Sequence, residues 1–196
     1  NVDIRHPSVR ECLRYFNFDT GVDLAHFGDL PARSGIGSSS SFSVGLLNAI
    51  HGLKNSKVSK HQLAQQAIYV EQEMIGEAVG VQDQISAAFG GINVIRLGPG
   101  TKLKISALKP SFSYTEYLQQ SILMGFTGLS RDGTAIAAEH KNKINSKKID
   151  DVLREVSQIS QEAHKMLVKE MDIQDLGRLL NRAWKLKKKF SNKVSP

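Results

Sequence analysis

The stretch "DLPARSGIGSSSS", Asp29 to Ser41, places two glycines and four successive serines between an apolar run and a long amphipathic segment. A plain Gly/Ser linker would join two patterned segments and carry no pattern of its own. Here the serines run directly into "SFSVGLLNAIHGL", where Phe42, Leu46, Ala49, Ile50 and Leu53 recur at helical spacing. The loop therefore opens a helix. Upstream, "VDLAHFGDLP" is apolar, alternates imperfectly and ends at Pro31, which predicts a strand feeding the loop.

A glycine-rich turn followed at once by a helix gathers unpaired backbone N–H groups and the positive end of the helix dipole at one point, which is an anion site. Gly35 and Gly37 permit close approach of backbone to a phosphate, and serine hydroxyls bond phosphate oxygens or complete the shell of Mg²⁺. The stretch is neither GxxxxGK[ST] nor GxSxG, and it lacks the third glycine of a dinucleotide fingerprint.

Composition narrows the class. The 196 residues are 40% hydrophobic, enough for a core, and no apolar run approaches the roughly 20 residues that cross a bilayer. The single cysteine, Cys12, forms no internal disulfide, and the six histidines show no HExxH or paired CxxC spacing, so a cytoplasmic protein without a structural zinc is expected. The net charge of +7 is local: Arg182, Lys185, Lys187, Lys188, Lys189 and Lys193 supply six, and without them 20 basic residues face 19 acidic ones. That distribution fits a solvated helix end better than a nucleic-acid or membrane surface, so neither is expected as a partner.

Along the chain, "SKHQ" (Ser59–Gln62) matches a capping box and opens a helix through "LAQQAIYVEQEMIG" to near Gly76. Runs at Ile92–Leu97 and Lys102–Ser106 around a Gly-Pro-Gly turn predict a hairpin, and Tyr117–Gly125 a further strand. Two amphipathic helices follow, over Ile149–Met171 and Ile173–Phe190, with a break at Asp172. A domain boundary is expected near Lys109 and Pro110.

The segment "DLPARSGIGSSSSFSVGLLNAI" resembles the second motif of the GHMP kinases, P-x-x-x-G-[LI]-G-S-S. Its extended form, together with "GVQDQISAAFGGIN" (Gly80–Asn93) and "GFTGLSRDGTA" (Gly125–Ala135), is most similar to the D-glycero-D-manno-heptose 7-phosphate kinase branch. The resemblance implies an α+β fold: part of an ATP-binding domain of ribosomal-protein-S5-like type over residues 1–109, then part of a ferredoxin-like domain over 110–196. It implies ATP and Mg²⁺, with Pro31, Gly35, Ile36, Gly37, Ser38, Ser39 and Ser40 forming the nucleotide loop.

Within "EQEMIGEAVGVQDQ" (Glu71–Gln84), a helix end with solvated acids is the plain reading. Beside a phosphate loop, two carboxylates acquire distinct tasks, one holding the metal and one taking or orienting the proton of the attacking hydroxyl. The resemblance assigns the second task to Asp83 and the first to Glu71 with Ser39, Glu73 being the alternative two residues on. Arg33, Gly90, Gly91 and Arg131 are implied for the sugar phosphate; for Arg131 and Arg33 a surface ion pair is the competing reading.

The implied reaction is transfer of the γ-phosphoryl group to O1 of a heptose 7-phosphate, for nucleotide-heptose and surface-polysaccharide synthesis. A fucokinase or galactokinase activity, or a non-catalytic sensor on the same fold, is the alternative. The resemblance leaves room for a homodimer. Family members extend further at both ends, with a first motif before and a glycine-rich third motif after the matched region. The 196 residues alone are therefore expected to turn over little substrate.

Overall fold

The computed structural model describes residues 3–29, 34–98, 101–126, 128 and 150–190. The chain divides into two compact units, Asn1–Gly91 with Phe126–Thr134, and Ile92–Gly125 with Ala135–Pro196.

The first unit is helical. Helix α1 (Pro7–Tyr15) starts on a proline, whose missing N–H is no loss there, and the His6 side chain accepts from Val9 N at 3.4 Å. No expectation covered this helix, because nine residues give too short a window for periodicity. Helix α2 (Ser38–Leu53) carries Val44, Leu46, Leu47 and Ile50 into the core. It begins at Ser38, four residues before Phe42, the first residue of the apolar series.

Helix α3 (Lys60–Tyr69) opens with the expected capping box: the Ser59 hydroxyl accepts from Gln62 N, and the Gln62 side chain accepts from Ser59 N. It continues without a break into a π-helical turn, Val70–Met74, closed by Ile75 N donating to Val70 O at 2.9 Å. Helix α4 (Gln82–Phe89) ends at Gly90, which with Gly91 adopts φ of +66°. Helix α2 packs on α1, α3 and α4, and α3 packs on α4.

Leu47 is wholly buried at the centre of α2. Leu47→Ala is expected to destabilise this unit by about 2–5 kcal/mol, through lost transfer energy plus the cavity left behind. Urea denaturation checks this: the midpoint should fall while the m-value holds.

The second unit contains strands β1 (Ile92–Gly98) and β2 (Thr101–Leu108), paired antiparallel from Ile92 opposite Leu108 to Arg96 opposite Lys104, with an irregularity between Arg96 and Gly98. The hairpin matches the expectation. Helices α5 (Phe112–Ser121), α6 (Asp150–Val168) and α7 (Ile173–Phe190) also belong to its described residues. Helices α6 and α7 pack through Ile159, Leu179 and Leu186, flanked by Val156, Ala163 and Ala183. Arg182 on α7 reaches Glu162 on α6 at 2.9 Å. The break at Asp172 is a local cap, its carboxylate accepting from Gln174 N at 2.8 Å.

Two predicted strands are absent among the described residues. The segment Tyr117–Gly125 is helical as far as Ser121, because Ser111 caps α5 by accepting from Tyr114 N and because Tyr114 and Leu118, four apart, share its buried face. Ile122 is extended, and the residues from Ile122 to Phe126 join no strand ladder among the described residues. Val22 to Gly28 likewise forms no ladder among the described residues, and Val22, Leu24 and Phe27 are exposed. Alternation reports a face that could be covered; a strand also needs a neighbour to pair with. No helix among the described residues is long and apolar enough to cross a membrane.

Candidate functional site

The Gly/Ser loop reaches α2 through two left-handed residues, Gly35 at φ +81° and Gly37 at φ +73°. Gly37 is the N-cap; its carbonyl accepts from Ser41 N at 2.9 Å, so the intrahelical ladder starts there. The N–H groups of Ser38, Ser39 and Ser40 precede that ladder, and no side-chain cap satisfies the helix start. Among the described residues, a helix beginning with four serines thus opens on backbone donors that no side chain caps.

Asp83, in the first turn of α4, lies against this opening. A methyl group built on Gly37 would sit 3.1 Å from Asp83 Cγ and 3.3 Å from its Oδ2. Glycine at position 37 therefore serves both the left-handed turn and the approach of the carboxylate. Asp83 itself is exposed.

Glu71 lies behind. The π-helical turn carries it inward, to 1% exposure, while Glu73 faces solvent. Its Oε2 accepts from Ser40 Oγ at 2.9 Å and from the buried Gln84 Nε2, and its Oε1 has no partner among the described residues. The hydroxyl that touches Glu71 is thus that of Ser40; Ser39 is exposed. Gln72 Nε2 donates to Val79 O at 2.8 Å and folds the loop back so that α4 starts beside α2.

Cys12, fully buried on α1, has its thiol pushed up to about 12, first by burial and then by the charges of Glu71 and Glu11. It should stay a neutral thiol at pH 8. In the native protein its reaction with an aromatic disulfide reagent should be at least about a hundredfold slower than in urea; equal rates would mean that the thiol is accessible.

A cavity of about 530 Å³ runs along α2 beside the loop, lined by Leu24, His26, Ile36, Ser38, Phe42 and Leu46 among others. Gly90 and Gly91 are exposed at the end of α4. Pro31, Arg33 and Arg131 lie outside the described residues.

The geometry brings together Gly35, Gly37, Ser38, Ser40, Glu71 and Asp83. Sequence reasoning passed over Gln84. Its signal was position: one residue after Asp83 on a helix, a side chain points about 100° away, so an exposed Asp83 turns Gln84 inward.

Comparison with known proteins finds relatives for most of the chain. The family model "GHMP kinases N terminal domain" matches residues 7–91. The D-glycero-alpha-D-manno-heptose 7-phosphate kinase of Campylobacter jejuni is 27% identical over 169 residues, 86% of this chain and 50% of that protein. A galactokinase of Pyrococcus furiosus is 29% identical over 154 residues, 78% of this chain and 38% of that one. The crystal structure of a D-glycero-D-manno-heptose 1-phosphate kinase from Bacteroides thetaiotaomicron superposes with a TM-score of 0.73 at 21% identity, covering 96% of this chain and 57% of that one. The chain thus spans about half the length of the heptose kinases it matches. The motif, the helix-opening loop and the shared fold agree on one conclusion: residues 7–91 match the GHMP kinase N-terminal domain, and the chain has the fold of a solved heptose phosphate kinase.

Proposed function

We propose that the full-length protein is an ATP-dependent cytoplasmic kinase that phosphorylates O1 of D-glycero-D-manno-heptose 7-phosphate, and that residues 1–109 belong to its nucleotide domain and 110–196 to the second. The observation that carries this reading is the uncapped start of α2, with Asp83 packed on Gly37 and Glu71 buried behind Ser40. Three bare N–H groups at a helix N-terminus are suited to phosphate oxygens. The neighbouring apolar cavity has the size and character of a nucleoside site.

The residues fit a magnesium nucleotide. Among the described residues no three His, Cys, Asp or Glu side chains converge, which suits an ion held by one or two protein oxygens and by phosphates. Glu71 Oε1 is a buried carboxylate oxygen without a partner among the described residues, the Ser40 hydroxyl donates to the neighbouring Oε2, and the Ser39 hydroxyl is exposed in the same turn of α2. Bound there, Mg²⁺ supplies neutralisation of phosphate charge. The chain's own groups do the rest: the Ser38–Ser40 N–H groups hold the phosphates, and Asp83 orients the acceptor hydroxyl and takes its proton. Arg33, Arg131, Gly90 and Gly91 would serve the sugar phosphate.

Similarity to a galactokinase supports a second reading, a kinase of unphosphorylated sugars. ATP turnover by the full-length protein against heptose 7-phosphate, galactose, fucose and mevalonate separates them. The proposal expects kcat/KM for the heptose phosphate at least about tenfold above the others, a difference of 1.4 kcal/mol in transition-state binding. A preference for galactose or fucose would transfer the assignment to the second reading.

A further inference from the structure

We propose that Gln84 is a positioning residue for the metal-binding carboxylate: its amide fixes Glu71 so that Oε2 is saturated and Oε1 alone faces the ion. The inference rests on the reading of Glu71 as a metal ligand.

Gln84 is fully buried, and its Oε1 has no partner among the described residues. A long polar side chain used merely to fill space would be a poor choice there, since an unpaired buried carbonyl oxygen is destabilising and a leucine or methionine would fill the volume without it. What offsets that penalty is the other end of the amide, where Nε2 donates to the Glu71 carboxylate. Ser40 Oγ donates to the same oxygen at 2.9 Å. Both donors therefore converge on Oε2 and none reaches Oε1. Such a one-sided clamp presents a single oxygen in one orientation, as hydrogen bonds to metal-ligating carboxylates do.

The two donors come from different elements. Ser40 lies in the first turn of α2, where the bare N–H groups are, and Gln84 follows Asp83 in the first turn of α4. Glu71 itself sits in the π-helical turn, where the wider ring frees the local backbone from α-helical spacing. The orientation of Glu71 is thus set by the same two helix starts that present the phosphate donors and Asp83.

The test uses the full-length protein with Mn²⁺ as a spin probe and a non-hydrolysable ATP analogue. Gln84→Met keeps the volume and removes the donor. Mn²⁺ affinity in the ternary complex should fall about 10–100-fold, the range for lost partners of metal ligands. Binding of the analogue without metal should stay within about twofold, and the concentration of Mg²⁺ giving half-maximal rate should rise in step with the loss of affinity. If Gln84→Met does not fold, Gln84→Asn, which retains the amide but withdraws it by one methylene, should give the same fall. Wild-type Mn²⁺ affinity in the folded variant, beside a large loss in Glu71→Gln, would overturn the role of Gln84 alone. Wild-type affinity in Glu71→Gln would overturn the reading of Glu71 and the inference with it. Equal weakening of metal-free and metal-dependent nucleotide binding would reduce Gln84 to a packing residue.

Discussion

Asp83→Asn in the full-length protein is expected to lower kcat by on the order of 10²–10⁴-fold, the usual contribution of a positioned general base, while nucleotide affinity changes by less than about threefold. The asymmetry follows from the geometry. The carboxylate contacts Gly37 at the mouth of the loop but forms no part of the α2 backbone that would hold the phosphates. The asparagine is nearly isosteric, so the approach to Gly37 survives and only proton acceptance and charge are lost. Pre-steady-state turnover with equilibrium nucleotide binding measures both terms. A loss divided evenly between the two would mean that Asp83 holds the loop rather than the acceptor.

Gly37→Ala should be nearly as damaging, by a different route. A side chain at φ +73° is strained by about 1–3 kcal/mol, and its methyl would meet Asp83 Cγ at 3.1 Å. Either the carboxylate or the loop must move by a few tenths of an ångström. Because misplacement of a reacting group by about 1 Å is worth on the order of 10²-fold in rate, kcat/KM is expected to fall by about tenfold to a hundredfold. Gly35→Ala is the control: Gly35 has φ +81°, but an added methyl meets nothing within 4 Å. It should lose comparable stability and, as part of the nucleotide loop, some nucleotide affinity, while its kcat should fall far less than that of Gly37→Ala. Equal rate losses in the two variants would remove the contact with Asp83 from the explanation.

Much of this arrangement is legible in the sequence because it is local. The Gly35 and Gly37 turn, the helix it opens, the Ser59–Gln62 capping box and the Gly-Pro-Gly hairpin each follow from residue types a few positions apart. The break at Asp172 does as well. The apolar runs at Val22–Gly28 and Tyr117–Gly125 mislead for one shared reason. Strand identity depends on a pairing neighbour, and in the second run Ser111 and the Tyr114–Leu118 spacing decide for a helix.

The site divides in the same way. Its loop is visible as a motif. Its buried layer is not: that Ser40 reaches Glu71, and that Gln84 completes the grip on Oε2, depends on a π-helical turn and on how α4 packs against α2 and α3. Charge patterning could not separate Glu71 from Glu73, two residues apart; the packing buries one and exposes the other.

The central claim is that the uncapped start of α2 is the phosphate site of a magnesium nucleotide. A crystal structure of the full-length protein with Mg²⁺ and a non-hydrolysable ATP analogue tests it most directly. The account predicts phosphate oxygens within about 2.7–3.2 Å of the Ser38–Ser40 backbone nitrogens, with the ion on Glu71 Oε1. A nucleotide bound with its phosphates elsewhere, leaving those N–H groups to water, would contradict it.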